Sequence, residues 1–362
     1  MGPVNQSGRR LPALLAAGLL ILFSACEAPP EPTLAPALWQ DFETRFIRSG
    51  RVIDTGNGGI SHSEGQGFGM LFAVAAGDRN GFTDLWHWTA RVLQRDDGLL
   101  RWRYAPCPSR DARCITDDNN ASDGDLLVAW ALLRAHEAWG DTAHREAAQR
   151  IIAAIERQLV VKHAGYTLLL PGAAGFRHGD DVTVNLSYWV FPALEAFLQH
   201  SDGPWQALIE SGLSLIDAAR FGEAQLPPDW LQVGADLRPS PRFPTRYGFD
   251  AVRIPLYMTW AGLAPDDNWR AFRGFWQRDP VPAWVDLSDD SSAEFAWSRG
   301  MARIADLVGS GPDLVGSGPD ADGVGSEERQ GPSGPSIEDT HNDYYSQALL
   351  LLSHIAATER PS

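Results

Sequence analysis

Apolar residues along the chain recur at the three- and four-residue spacing of amphipathic helices, and they do not alternate over long stretches as in strands. Many helical stretches follow one another in pairs across short turns, which indicates stacked helical hairpins. The pattern predicts helices at 36–49, 64–77, 80–95, 123–139, 141–158, 186–200, 203–219, 250–263, 267–277, 291–307 and 343–358.

Four of the predicted helices open with a polar side chain followed directly by an apolar run. These residues are Glu64, Asp123, Asn185 and Asp250, each two helices and their connections after the one before. In a closed ring of helical hairpins every second helix points the same way, so these four N-termini would meet on one face. The sequence therefore predicts an all-α toroid with a shared site, and a helical solenoid is the alternative.

The net charge of −16 restricts the partners of the chain. Nucleic acid and anionic lipid would both be repelled, so a neutral or cationic partner fits best. The chain also has 14 Trp. Tryptophans among many acids are typical of sugar-binding surfaces, although a Trp-rich core gives the same composition.

The first residues have the pattern of an export signal. Basic residues precede an apolar stretch that ends at Ala25 and is too short to span a membrane. "LFSAC" resembles a lipoprotein signal that is lipidated on Cys26, and ordinary cleavage after Ala25 is the alternative. We expect a signal at 1–25 and an extended tether at 26–36. The protein would be exported, either periplasmic and lipid-anchored, with the outer membrane favoured, or secreted.

Two further cysteines lie close together in "CPSRDARC". In an exported chain, Cys107 and Cys114 are candidates for a small disulfide loop. A zinc site is the weaker alternative because no histidine lies between them.

Residues 307–336 carry "LVGSGPD" twice and are rich in Gly, Ser, Pro and acids. Such a composition cannot bury enough apolar surface to order itself. We therefore expect a flexible insertion within a single domain at 37–358.

Glu64 has two interpretations. Ser63 and Gln66 match a capping box, and an acid in the first turn complements the helix dipole. Capping does not explain the glycines at 65, 67 and 69, which weaken a helix. Positions without side chains would also suit a bulky ligand approaching the carboxylate.

The segment "ASDGDLLVAW" places two acids at a predicted helix start. Ser122 and Asp125 match a capping box, which makes Asp125 structural and leaves Asp123 available for chemistry. A calcium loop in this register would require ligands at Ala121 and Trp130, so no calcium site is predicted.

In "RYGFDAVRIPLYMTWA", Asp250 and Arg253 lie three residues apart among apolar and aromatic neighbours. They could form an ordinary surface pair, but this setting favours a pocket. Pro255 is expected to bend the helix.

Two separate carboxylates facing one cleft can hydrolyse a glycosidic bond. One stays protonated to serve the leaving oxygen, and the other is ionised to activate water or attack the sugar. Trp102, Tyr188 and Trp230 are candidate stacking platforms for sugar rings, and each could instead belong to the core. No phosphate loop, serine-nucleophile motif or zinc-protease motif is present, and we expect no metal or cofactor.

These segments resemble glycoside hydrolase family 8, the bacterial endoglucanases that accompany cellulose synthesis. The resemblance rests on "SEGQGFGMLFAVAAGDRNGFTDLWHW", "ASDGDLLVAWALLRAHEAW", "NLSYWVFPAL", "LPPDW" and "RYGFDAVRIPLYMTWA", and it spans about residues 38 to 357. Val128 departs conservatively from the usual Ile or Met. The resemblance implies an (α/α)6 barrel and an inverting mechanism.

By this resemblance, Glu64 is the general acid and Asp250 the general base, which Arg253 supports. Asp123 would hold and distort the sugar at the cleavage point, with Tyr188 nearby. Tyr247 is also expected to contact the substrate.

The resemblance favours an endo-β-1,4-glucanase acting on a β-1,4-glucan chain, with a cellulose synthesis or secretion complex as a possible partner. A xylanase or chitosanase of the same family is the alternative. A non-catalytic glucan-binding lipoprotein, or a sugar isomerase or lyase on a similar toroid, would be a different class.

Overall fold

The chain folds into a series of helices, as its polar helix starts and apolar runs predict. The computed structural model describes residues 1–2, 31–107, 114–263, 269–309 and 343–361. Its helices are α1 Pro36–Phe46, α2 Ser63–Ala75, α3 Arg79–Val92, α4 Ser122–Trp139, α5 Thr142–Gln158, α6 Phe191–Leu198, α7 Trp205–Ala218, α8 Arg253–Trp260, α9 Trp269–Trp276, α10 Arg299–Gly309 and α11 Tyr344–Glu359. All of them belong to one unit, residues 31–362.

Helices of two kinds alternate along the chain. Every residue of α2 except Glu64 is buried, as expected for a helix that is apolar all round. By contrast, α3 and α5 bury one face each. Contacts run from α2 to α4, from α4 to α6, from α6 to α8, from α8 to α11 and from α11 back to α2. Helices α3, α5 and α7 pack on the outside, against α2, α4 and α6 respectively.

Glycines let the first turns of α2 and α4 approach closely. A Cβ on Gly67 would lie 2.5 Å from Cβ of Leu127, and one on Gly124 would lie 2.7 Å from the backbone nitrogen of Glu64. A Cβ on Gly65 would lie 2.7 Å from Oη of Tyr344, and one on Gly69 would lie 2.8 Å from Val52. The expectation that the glycines after Glu64 make room for a ligand is therefore wrong, because the protein itself fills that space.

Short strands precede several of the buried helices. They are β1 Ile47–Arg48, β2 Arg51–Val52, β3 Ser61–His62, β4 Arg101–Tyr104, β5 Ile115–Asn120, β6 Val160–His163, β7 Tyr166–Leu169, β8 Arg177–His178, β9 Asp181–Val184, β10 Leu231–Val233, β11 Leu237–Pro239, β12 Arg246–Tyr247 and β13 Val285–Asp286. They pair antiparallel as β1–β2, β3–β4–β5, β6–β7, β8–β9–β10–β11 and β12–β13. None is long enough to give a clear two-residue alternation, and for this reason the sequence pattern did not predict them.

Strands also fix where the helices begin. In the sheet formed by β3, β4 and β5, His62 of β3 pairs with Arg103 of β4, and β3 runs directly into α2. Strand β5 of the same sheet ends at Asn120, just before α4. The two N-termini are therefore held side by side by one small sheet.

Three predicted helices begin at least three residues later than expected. The helix predicted at 291–307 is α10, which begins only at Arg299, because Ser292 and Ala296 before it form isolated β-bridges. The stretch 186–200 forms a 3₁₀ turn at Leu186–Tyr188 and then α6, which has Pro192 in its first turn. Helix α8 begins at Arg253 rather than at Asp250, so Pro255 also lies in a first turn. A first turn has no intrahelical acceptor for its N–H groups, and proline is tolerated there without bending the helix.

The first residues of the predicted insertion belong to a helix. Leu307 and Val308 are buried in α10, which continues to Gly309. The stretch that covers most of the insertion, 310–342, lies outside the described residues. So do residues 3–30, which hold the predicted signal and Cys26. Within the described ranges, no helix is both long and apolar enough to cross a bilayer.

Candidate active site

The guanidinium of Arg253 lies at the centre of the candidate site. Its Nη1 is 2.9 Å from Oε1 of Glu64, and its Nη2 is 3.2 Å from Oδ1 of Asp250 and 3.7 Å from Oδ2 of Asp123. Nη2 also donates to Oγ of Ser187 at 3.0 Å. Only 4% of the Arg253 side chain is exposed. The structure thus brings together the three acids, two from helix starts and one from the turn before α8, with one buried cation between them.

Glu64 is the second residue of α2, and the cap of this helix differs from the predicted one. The N-cap is His62, whose Nδ1 accepts from the backbone N–H of Gly65 at 3.0 Å. Nε2 of His62 lies 3.4 Å from Oδ2 of Asp54. Gln66 is buried and accepts from Val52 N–H at 2.6 Å instead of closing a capping box. The predicted Ser63–Gln66 box is therefore wrong, because the imidazole already occupies that role.

Asp123 is the second residue of α4 and lies against Glu64. Arg253 contacts both carboxyl groups, so the two acids lie close together beside one cation. Burial, and then the charge of Glu64, raise the pKa of Asp123 well above its usual value, while Arg253 opposes the rise. The pair is therefore suited to storing a proton at the cleft.

Asp125 also lies in the first turn of α4, and its role is structural although it is not a cap. It is fully buried, and its carboxylate accepts from Leu100 N–H at 2.8 Å and from Nδ2 of Asn120 at 2.7 Å. The predicted box with Ser122 is wrong, since α4 has no side-chain cap. Asp125 instead fastens the helix start to the strand region before it.

Asp250 lies in the turn before α8, and 28% of its side chain is exposed. Burial raises the pKa of Asp250 to about 7, Arg253 and Asn185 oppose the rise, and the carboxylates of Asp229 and Glu64 add to it. A carboxylate with this pKa exchanges protons near neutral pH, which suits a general base.

A cavity of about 240 Å³ opens beside Glu64 and Asp123, whereas Asp250 does not line it. Glu64, Asp123, Trp102 and Tyr188 line it. Trp102 is held by a hydrogen bond of 2.8 Å from its Nε1 to Oδ2 of Asp117. A larger cavity of about 640 Å³ lies between α9 and the segment that follows α7, but Glu223 is the only acid among the described residues that line it, so it lacks an acid–base pair.

Two predicted aromatic contacts lie elsewhere. Trp230 stacks on Phe243, with ring centroids 4.1 Å apart, and meets Tyr188 edge-on at 6.0 Å. It therefore borders the Tyr188 side of the site without lining the cavity. Tyr247 is 1% exposed and packs on Phe275 in the core, so the expectation that it contacts substrate is wrong.

Several site residues were missed by the sequence analysis. His62, Asp54, Tyr344 and Tyr345 line the same cavity, and Asp229 lies beneath Asp250. The two tyrosines open α11, another helix that packs on α2, so the rule that found Glu64 could have found them. The histidine and the aspartates carry no comparable signal, because their roles depend on contacts between distant segments.

Cys107 and Cys114, which flank residues outside the described part, form a disulfide bond. Within the described ranges, no cluster of three or more His, Cys, Asp or Glu side chains could hold a metal ion. The structure pairs Cys107 with Cys114, as the disulfide interpretation predicts.

Comparison with known proteins supports one family. The family model of glycosyl hydrolases family 8 matches residues 10–359. An endoglucanase of Cellulomonas uda is 40% identical over 284 residues, which cover 76% of this chain and 77% of the relative. The solved endo-β-1,4-glucanase of Acetobacter xylinum superposes with a TM-score of 0.78 at 36% identity, covering 91% of this chain and 99% of that one. An endoglucanase structure from Klebsiella pneumoniae gives a TM-score of 0.76 at 36% identity and covers 89% and 99% of the two chains. The geometry of the acids and these similarities agree, and the chain belongs to glycosyl hydrolases family 8.

Proposed function

We propose that the protein is an inverting endo-β-1,4-glucanase. The observation that carries the proposal is the placement of Glu64, Asp123 and Asp250 around one buried guanidinium beside an open cavity. The relatives at 36–40% identity named above are endoglucanases, which supports β-1,4-glucan as the substrate.

Each carboxyl group has a distinct role. Glu64 donates a proton to the leaving glycosidic oxygen, and Asp123 beside it, whose pKa is raised, can hold a proton close to that donor. Asp250 removes a proton from the attacking water. Glu64 and Asp250 contact different nitrogens of Arg253, an arrangement compatible with the roughly 6.5–9.5 Å that inverting glycosidases leave for a water.

The remaining groups orient the sugar and the acids. Asp123 lies next to the proton donor, where it can hold the sugar at the cleavage point. Burial raises the pKa of the Tyr188 phenol well above its usual value, so the hydroxyl stays neutral and can donate to substrate. Trp102 lines the same cavity and offers an apolar ring face.

The first test compares hydrolysis of carboxymethyl-cellulose, xylan and chitosan by the wild type and by Glu64→Gln. We expect the wild type to cut the cellulose derivative and the variant to lose at least about 10³-fold in kcat, because the leaving oxygen is no longer protonated. Glu137→Gln is the control, since Glu137 lies at the far end of α4, about 21 Å from Asp123.

Each alternative has its own outcome. Preferred cleavage of xylan or chitosan would replace the glucanase with another activity of the family. Binding of cellulose without cleavage of any substrate would favour a glucan-binding protein. Proton NMR of fresh products should show the α-anomer first, and a β-anomer would contradict inversion.

We also propose that the chain is exported and lipidated on Cys26, and that it meets its substrate beside a cellulose synthesis or secretion complex. The motif "LFSAC" supports lipidation, and the acidic charge gives no support for membrane binding by other means. Labelling with a palmitate analogue should mark the wild type and not Cys26→Ser. Labelling of neither would leave cleavage after Ala25 as the processing step. Co-purification with a cellulose synthase subunit tests the partner.

A further inference from the structure

Asp229 has an unusual set of contacts directly beneath the turn that carries Asp250. It is 2% exposed, and its Oδ1 accepts from three backbone N–H groups of one turn: Gly248 at 2.9 Å, Asp250 at 3.2 Å and Ala251 at 2.8 Å. A single oxygen therefore fixes the backbone on both sides of Asp250.

The second oxygen of Asp229 holds the strand that leads into the turn. Oδ2 accepts from Nε of Arg246 at 3.2 Å, and the backbone N–H of Asp229 donates to the carbonyl of Arg246 at 2.7 Å. The close approach also requires a small residue in the turn. A Cβ on Gly248 would lie 3.2 Å from Oδ2 of Asp229 and 3.0 Å from Trp284.

We propose that Asp229 is a positioning residue for the reaction: it holds the backbone of Asp250 and places a second carboxylate beneath the general base. This inference rests on the proposed function, since it concerns the base of that reaction. Asp229 does not touch the cavity and acts only through Asp250.

The charge of Asp229 distinguishes this role from ordinary capping. The groups that face Asp250 are Arg253, Asp229, Glu64, Asn185 and the phenols of Tyr188 and Tyr345, and Arg246 faces Asp229 in turn. Among them, Asp229 raises the pKa of Asp250 more than Glu64 does, while Arg253 lowers it. Removing the charge of Asp229 should therefore let Asp250 ionise at lower pH.

Two variants separate position from charge. In Asp229→Asn the amide oxygen can still accept from the turn, whereas Asp229→Ala removes both the acceptor and the charge. We expect the acidic limb of kcat/KM for Asp229→Asn to move to lower pH by about 0.5–1 unit. For Asp229→Ala we expect kcat to fall about 10–100-fold with KM within about threefold of the wild type.

Asp78→Asn is the matched control. Asp78 caps α3 with comparable contacts, accepting from Asn80 N–H at 3.1 Å and Gly81 N–H at 3.0 Å, but it does not face the cavity acids. The Asp78→Asn substitution should lower the melting temperature without moving the acidic limb of kcat/KM. An unmoved limb in Asp229→Asn would overturn the proposal, as would a limb that shifts equally in Asp78→Asn.

A second measurement is independent of catalysis. Carbon-13 NMR titration of the Asp250 carboxyl in the wild type and Asp229→Asn should give a lower pKa in the variant. This result would support the coupling even if the wild type cut no glucan, in which case only the proposed function would fail. Equal pKa values of Asp250 in the two proteins would overturn the inference.

Discussion

At the scale of single residues, the site depends on one cation shared by three acids. Arg253 contacts Glu64, Asp123 and Asp250 through two nitrogens while almost completely buried. Burial opposes its charge, but the carboxylates outweigh this effect and raise the pKa of Arg253 above its usual value. A planar guanidinium can serve several oxygens in fixed directions, which an ammonium cannot do.

Replacing Arg253 by lysine should therefore be far from conservative. We expect Arg253→Lys to lose about 10²–10³-fold in kcat/KM, because one ammonium cannot reach the three carboxyl groups together. The acidic limb should move to higher pH, since Arg253 lowers the pKa of Asp250. This shift is opposite to the one expected for Asp229→Asn.

The measurement is a pH series of kcat/KM beside Arg134→Lys. Arg134 forms a largely buried pair with Glu359, whose side chains are 17% and 18% exposed, away from the cavity. Activity of Arg253→Lys at the level of this control, or a limb at lower pH, would contradict the assignment of Arg253 as the shared cation.

At the scale of elements, the start of each helix matters more than its body. The polar residue before each apolar run located Glu64, Asp123 and Asp250 from the sequence, since every second helix of a closed ring points the same way and brings these residues to one face. The same reasoning misplaced the caps and the start of α8. His62 caps α2 with its own imidazole, and β3, which contains His62, pairs with β4 at Arg103. That pairing between distant segments leaves no local pattern in the sequence.

The glycine contact between α2 and α4 gives a prediction for these elements. Gly124→Ala should lower the free energy of unfolding by about 1–3 kcal/mol, since its Cβ would press on the backbone of Glu64. It should also reduce kcat, because the two carboxyl groups would be pushed apart. Chemical denaturation and kinetics measure the two effects.

Gly274→Ala is the matched control for this helix substitution. Gly274 lies in α9 with no atom near the place of a Cβ. We expect a gain of about 0.5–1 kcal/mol in stability from the better helix former, with unchanged kcat. Equal stability effects of the two substitutions would show that α2 and α4 do not pack as closely as described.

At the scale of the whole molecule, the buried acids make stability depend on pH. Burial raises the pKa of Asp125 to about 8, and those of Asp123 and Asp250 are raised as well. Each group therefore holds its proton more tightly in the folded chain than in the unfolded chain. Between about pH 4 and pH 8 the folded state binds more protons, so the free energy of unfolding falls as pH rises.

Urea unfolding at pH 5 and pH 8 checks this sign. We expect the wild type to be less stable at pH 8 by about 1–3 kcal/mol. Asp125→Asn should be less stable than the wild type at pH 5, where it loses a matched acceptor, but should show a smaller difference between the two pH values. Stability that rises from pH 5 to pH 8 would contradict the raised pKa values.

Because the site residues come from distant segments, catalytic activity should be among the last properties to appear during folding. The groups on Arg253 come from α2, α4 and the turn before α8, and Tyr345 of α11 lies 3.4 Å from its Nη1. Any contiguous part of the chain that contains all of these groups also contains nearly every buried helix. During refolding, helical signal should thus recover before glucan cleavage does, and the lag between them would time the last docking step.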